Sequence, residues 1–231
     1  SPKIGLTAAL NIALKESNGK YIARHDAGDF SAQNRFFEQI KFLEKNITIS
    51  MCGSWVKETS LSGVSLGTTS FPITDSEIKN SILYQNAFCH GSIMAKKDDI
   101  MQLNGYREEF KHSQDYDLWL RLTESCKVAN LEKPLYVRTI SPESISFANK
   151  EKQNAYADLA RDCYRARKSK TKEPLHRFES INRAQSKINN QNRIHSIYKF
   201  YCGRKLFSHG KMRLARKYFF NSLYLFPFGL K

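Results

Sequence analysis

The sequence predicts an α/β protein, with a mixed sheet flanked by helices over residues 1–147 and a helical carboxy-terminal region after it. Three observations carry this expectation. Short runs rich in strand formers alternate with segments whose apolar residues recur at helical spacing. From about Ala148 the pattern is helical throughout. The charge is also divided: residues 1–150 hold 18 Lys/Arg and 17 Asp/Glu, a net of +1, whereas residues 151–231 hold 19 and 5, a net of +14. Two regions with different physical roles are implied. At 231 residues, with 41% hydrophobic and 12% aromatic side chains, the chain can fill one large core or a core plus an appendage.

The elements follow in order. Leu6, Ala9, Leu10, Ile12, Ala13 and Leu14 fall at helical spacing, and Ser17-Asn18-Gly19 ends that helix. Residues 20–24 read as a short buried strand. Ser31 is the expected N-cap of a helix over 32–45, with Phe36, Phe37, Ile40, Phe42 and Leu43 as its apolar stripe. Residues 47–56 are rich in strand formers, and the Gly/Ser/Thr-rich stretch 60–70 reads as a turn or loop. A short helix over 75–83, a strand over 87–94 and a helical turn over 98–103 come next. A strong helix spans 115–125, and Pro134 separates two short strands, 128–131 and 135–140.

Residues 148–174 read as a helix followed by a linker, polar and charged from Lys168 and ending in Pro174. Residues 175–231 form a basic helical region. From Tyr198 to Pro227 its small and large residues, among them Gly203, Leu206, Gly210, Ala215 and Phe219, have the offsets of one tetratricopeptide-like helical hairpin.

The composition excludes several classes. No apolar run is long enough to span a bilayer. The five cysteines (52, 89, 126, 163, 202) are odd in number and never spaced C-x-x-C, which argues for reduced thiols in cytoplasm over a disulfide framework or zinc site. The start, Ser1-Pro2-Lys3, has neither Met nor a secretory pattern, and reads as a cut inside a longer protein.

Two acidic clusters carry the chemistry. His25-Asp26-Ala27-Gly28-Asp29 follows the first strand, and Gln114-Asp115-Tyr116-Asp117 opens the strong helix. Asp26 and Asp29 at a strand end suit a hard divalent cation, Mg or Mn, whose shell a diphosphate and water complete. A solvated Asp-Gly turn accounts for the same residues. Asp115 has the alternatives of helix capping and of general base, with the like charge of Asp117 raising its proton affinity. His90 is read either as a satisfied structural histidine or as a substrate contact. Arg24 and Arg121 could pair with phosphate, or with the carboxylates near them.

Four blocks taken together resemble the inverting nucleotide-sugar glycosyltransferases of the GT-A, family 2-like type. They are 5–11, Gly19-Lys20-Tyr21-Ile22-Ala23-Arg24-His25-Asp26-Ala27-Gly28-Asp29, Cys89-His90-Gly91-Ser92-Ile93-Met94, and 105–121 from Gly105-Tyr106 to Leu120-Arg121. The resemblance covers about residues 3–147. It implies a Rossmann-like GT-A sheet missing its first strands, and a divalent metal, Mn or Mg, on Asp29 and Asp26. Asp29 is favoured because Gly28 stands where the family carries a further Asp. It further implies that Asp115 is the catalytic base, and that Arg24, Asp26, His90 and Gln114 bind nucleotide-sugar or acceptor. Relatives often carry His where Ser141 stands, so no third protein ligand is expected there.

The strands that hold base and ribose in such enzymes precede the first block, so this polypeptide by itself is expected to bind donor poorly and to be nearly inactive. The implied partners are a nucleotide-sugar donor and a glycan or lipid-linked acceptor. The basic tail, with Phe219, Phe220, Tyr224, Phe226 and Phe228, reads either as a surface that contacts the inner face of a membrane or as the solvated basic face of an ordinary hairpin. The competing reading from another class is a non-catalytic basic module binding nucleic acid, a membrane surface or protein. The near-neutral first 150 residues speak against nucleic acid. A degenerate, binding-only transferase domain is a further alternative, for which Gly28 is the argument.

Overall fold

The computed structural model describes residues 4–144, 149–183 and 191–226. In chain order its strands are β1 (Tyr21–Ala23), β2 (Phe30–Ser31), β3 (Ile49–Ser60), β4 (Ser65–Thr69), β5 (Met94–Lys96) and β6 (Lys127–Ile140). The helices are α1 (Leu6–Glu16), α2 (Arg35–Lys45), α3 (Asp75–Ser81), α4 (Lys97–Gln102), α5 (Gln114–Ser125), α6 (Lys150–Lys168), α7 (Arg177–Arg183), α8 (Gln191–Ser208) and α9 (Met212–Leu225). The mixed α/β arrangement agrees with the sequence.

The sheet runs β1-β5-β3-β6-β2, with β4 on the far half of β3. β3 and β6 are parallel from Ile49 opposite Lys127 to Ser60 opposite Ile140, and the other pairs are antiparallel. The first halves of both strands, 50–54 and 128–131, are buried on both faces, which favours near-continuous apolar and small residues over alternation.

Three local expectations need correction. Pro134 does not divide β6: it lies opposite Trp55 at a register shift, so the ladder loses one N–H donor, bulges and continues. Residues 60–70 are not a loop throughout, because Val64 O accepts the Ser60 N–H and Gly63 adopts φ 74°, turning the chain back into β4. The strand expected over 87–94 is instead a 3-10 turn at His90–Ser92, where the Ser92 N–H reaches Cys89 O and strand geometry begins only at Met94.

The apolar stripe of α2 is the largest surprise. Its buried residues are Arg35, Gln39 and Leu43, while Phe36, Phe37 and Ile40 are exposed. Nor is Ser31 the cap; Asn34 holds that position and Ser31 lies in β2. Arg35 and Gln39 turn inward because β1, β3 and the turn after Phe88 offer backbone carbonyls there, which buried guanidinium and amide groups can satisfy.

The main core joins Met51, Leu118, Trp119 and Val128 to Tyr156, Leu159 and Cys163 of α6 and to Phe178 and Ile181 of α7. Packing therefore runs across the expected boundary at 147/148. A second cluster seats the α8–α9 hairpin on Leu66 of β4 and Ile140 at the end of β6. Within the hairpin Gly203 sits so close to Phe219 that a Cβ would lie 2.7 Å from its ring, the close approach that the small-residue offsets predicted. Phe228 lies outside the described residues.

Candidate active site

β1 delivers the first acidic cluster. The Arg24 N–H still follows the ladder to Ile93 O, and then the chain turns, with the Asp29 N–H donating to Asp26 O. Gly28 has φ 84° with open space around it, a backbone state that favours glycine. The two carboxylates part company here. Asp29 Oδ1 accepts the Thr139 N–H at 2.8 Å, and the Thr139 hydroxyl donates to Gly28 O at 2.8 Å. Burial raises the Asp29 pKa above its ordinary value, opposed by the Thr139 N–H and the Tyr136 hydroxyl. Asp26 remains 40% exposed at its side chain, and Oδ1 pairs with Arg24 at 2.6 Å. Asp29 Oδ1 is thus tied to β6, while Asp26 is the more outward carboxylate with its Oδ1 held by Arg24.

Tyr136 is the buried centre of this loop. Its hydroxyl accepts the Asp26 N–H at 3.0 Å, and His25 packs edge-on against its ring. A Cβ on Gly91 would lie 2.2 Å from that hydroxyl and 3.0 Å from Asp26 Oδ2, so only glycine fits. Below the loop, Arg35 donates to Arg24 O at 2.8 Å and to Ile93 O at 3.1 Å, with its guanidinium over the Tyr136 ring. Gln39 extends the strut to Ser92 O at 2.8 Å and Cys52 O at 3.3 Å.

His90 lies between the two clusters. Its Nε2 is 2.8 Å from the Tyr106 hydroxyl, and Trp119 stands edge-on to the ring. Burial lowers the His90 pKa and holds the ring neutral, while the nearby charges of Asp115 and Asp26 act in the opposite sense and Arg24 reinforces the lowering. The same three charges reach Tyr106, whose hydroxyl burial pushes up. Asp115, Asp26 and Arg24 therefore all act electrostatically on one His–Tyr pair, although up to 91 positions separate them in sequence.

Asp115 is not the N-cap residue itself, but it lies in the first turn of α5, where the helix dipole favours a carboxylate. The N-cap of α5 is Ser113 in the left-handed region, and its hydroxyl donates to Gln153 O instead of to the helix. Asp115 Oδ2 accepts from the Asn86 amide at 3.3 Å and is partly exposed. Gln114 is buried beside it. Asp117 is fully buried and paired with Arg107 and with Arg121, the latter at 2.9 Å. Arg121 also donates to Leu103 O and Gly105 O at 2.8 Å each, so it holds the fold together and is not free for phosphate.

The fit of a divalent ion follows from these donors. Among the described residues no group of three or more His, Cys, Asp or Glu side chains is placed to hold one. Asp29 is committed to β6 and Gly28 offers no side chain, which leaves Asp26. One carboxylate suits an ion that arrives with a diphosphate and keeps several waters, not a resident ion in a protein cage.

Residues 2–103 match the family model described as glycosyl transferase family 2. Over that stretch the chain is similar to the glycosyl transferase family 2 proteins. Asp26, Asp29 and His90 lie inside the matched residues, and Asp115 lies beyond them. Similar proteins include the UDP-Gal:alpha-D-GlcNAc-diphosphoundecaprenol beta-1,3-galactosyltransferase of Escherichia coli, 32% identical over 146 residues, 61% of this chain and 51% of that one. The O-antigen biosynthesis glycosyltransferase WbnJ of Escherichia coli is 32% identical over 121 residues, 52% of this chain and 46% of its own length. The chain thus spans about half the length of the curated relatives it matches. Among solved structures, S. aureus TarS 1-349 aligns with TM-score 0.48 and 14% identity, covering 96% of this chain and 69% of that one. The mannosyltransferase PcManGT from Pyrobaculum calidifontis, in complex with GDP-Man and Mn2+, aligns at 0.47 and 13%, covering 97% and 65%.

The motif-based reading missed Arg35, Gln39 and Tyr136, which hold the loop from beneath. Their signal was available only as an Arg and a Gln at i and i+4 on a helix whose other face is aromatic.

Proposed function

We propose that this domain serves a transferase that moves a sugar from a nucleotide-sugar donor to a hydroxyl of a glycan or lipid-linked acceptor, inverting the anomeric carbon. What supports the reading is the family 2 match over residues 2–103 together with the geometry at its site: Asp26 Oδ2 lies against Gly91, next to the His90–Tyr106 pair, and Asn86 holds Asp115. In the displacement the acceptor oxygen forms its bond to the anomeric carbon as the bond to the diphosphate oxygen breaks. The hydroxyl proton passes to the Asp115 carboxylate, and the nucleoside diphosphate leaves with the electron pair. Asn86 orients that carboxylate, while neutral His90 and Tyr106 form an uncharged wall that does not compete for the proton. Arg24 and the outward carboxylate of Asp26 face the diphosphate, and Gln114 lines the acceptor side. A divalent ion bound with the diphosphate, for which Asp26 is the available protein ligand, would neutralise charge on the leaving group.

An acceptor carried on a lipid suits the acid-free basic hairpin and is the chemistry named for one similar enzyme. The test is Asp115→Asn in a complete enzyme that includes the donor-binding strands, since this polypeptide by itself is expected to bind donor poorly; the change keeps the shape and removes the base. Turnover with UDP-sugars should fall by ~10²–10⁴ while donor affinity, measured by titration calorimetry, is retained. Unchanged turnover would remove Asp115 from the role.

A further inference from the structure

The helix α9 has two faces of different chemistry. Inward, Ala215, Tyr218 and Ser222 are buried against α8, and Ser222 exchanges hydrogen bonds with Ser196 at 2.8–3.0 Å. Outward, a 3.6-residue period places Arg213, Arg216 and Lys217 on one continuous arc with Phe220, Leu223 and Tyr224. Phe220 is 71% exposed, Tyr224 90% and Leu223 45%. None of the three cations is paired with a carboxylate among the described residues, and the sequence from Ser180 to Lys231 contains no Asp or Glu. A face that only meets water carries both signs of charge and few large apolar groups. This one carries a single sign and a run of them.

We propose that the outward face of α9 docks on an anionic lipid surface, its cations against headgroup phosphates and Phe220, Leu223 and Tyr224 in the interfacial layer. Charge complementarity selects the occupant, since an acid-free cationic stripe is drawn to a negatively charged leaflet. The order along the helix selects lipid over nucleic acid. The cations occupy the first turns and the apolar residues the last, on one convex cylinder, whereas strand binding uses a groove with aromatic platforms interleaved among cations. The docked face is also fixed relative to the site. Lys205 of α8 pairs with buried Glu58 of β3 at 3.0 Å, and Lys211 donates to Ser65 O at 2.9 Å, so the hairpin moves with the sheet. The proposal complements the lipid-linked acceptor suggested above, but its readout is vesicle binding and not turnover. Failure to bind vesicles leaves the transferase reading intact, and failure of turnover leaves this one intact.

The experiment is co-sedimentation of the full chain with vesicles of phosphatidylcholine alone or mixed with phosphatidylglycerol, at low and high salt. Three arms carry it: the wild type, Arg213→Glu/Arg216→Glu/Lys217→Glu, and Phe220→Ser/Tyr224→Ser. All five positions are exposed, and circular dichroism checks that each variant is folded. Partitioning should rise at least ~10-fold on adding the anionic lipid and fall with salt. The charge reversal should lose ~10²-fold and the aromatic variant ~10-fold. No preference for anionic vesicles overturns the proposal, as does unchanged binding in both variants. So does capture of a random-sequence DNA duplex by these residues in place of vesicles.

Discussion

Asp26 and Asp29 stand three positions apart and do different work, because one carboxylate meets a backbone N–H of β6 and the other meets a guanidinium at the surface. Replacing them should separate binding from folding. Asp29→Ala strips the partly buried Thr139 N–H of its acceptor and should cost about 1–3 kcal/mol of stability, read by urea denaturation. Asp26→Asn should leave the denaturation midpoint nearly unchanged and weaken Mn2+ binding in the presence of UDP, read by titration calorimetry. Equal loss of stability in both variants would contradict the division. Asp117 shows the same lesson: a carboxylate in an acidic motif can be wholly occupied by two arginines from its own fold.

At the scale of elements, β3 and β6 form the frame to which every site segment is attached, and one buried ionic network ties the hairpin to it. Glu58 of β3 is 1% exposed and meets Arg138 of β6, Lys205 at 3.0 Å and the Tyr201 hydroxyl at 2.9 Å. Burial alone would raise the Glu58 carboxyl, but Arg138 and Lys205 outweigh it and hold the pKa below 4.5. A depressed folded-state pKa contributes stability that is fully present above the unfolded value and lost as pH falls through the folded one. The wild type should therefore lose stability as pH drops below about 4.5, by more than Glu58→Gln does over the same window. Equal acid sensitivity of the two proteins, measured by urea midpoints across that range, would remove Glu58 from the account.

At the scale of the whole molecule, the basic region is not an independent appendage. α6 and α7 complete the main core, and α8 and α9 close over β4 and the end of β6. Cutting the chain at 147/148 should leave Phe110, Trp119 and their neighbours without Tyr156, Leu159 and Phe178. Each lost aromatic or aliphatic contact of that kind costs about 2–5 kcal/mol, more than a marginally stable domain can lose several times over. A fragment ending at 147 is therefore expected to be aggregated or unfolded by circular dichroism. A cooperative thermal transition in that fragment would show that the first core is self-sufficient.

Much of this architecture was legible in one dimension. Periodicity located nearly every helix, the strand formers located both long strands, and the motifs pointed to Asp26, His90 and Asp115, because burial writes itself locally as apolar spacing. What only the tertiary structure decided was the orientation of polar groups. Phe36, Phe37 and Ile40 looked like the core face of α2, yet Arg35 and Gln39 are inside, since carbonyls of Arg24, Cys52, Ser92 and Ile93 lie there to receive them. Likewise nothing near Asp29 in sequence announces Thr139, 110 positions away, as its partner. A polar side chain takes its role from whichever donor or acceptor the fold brings to it, and that pairing has no local signature.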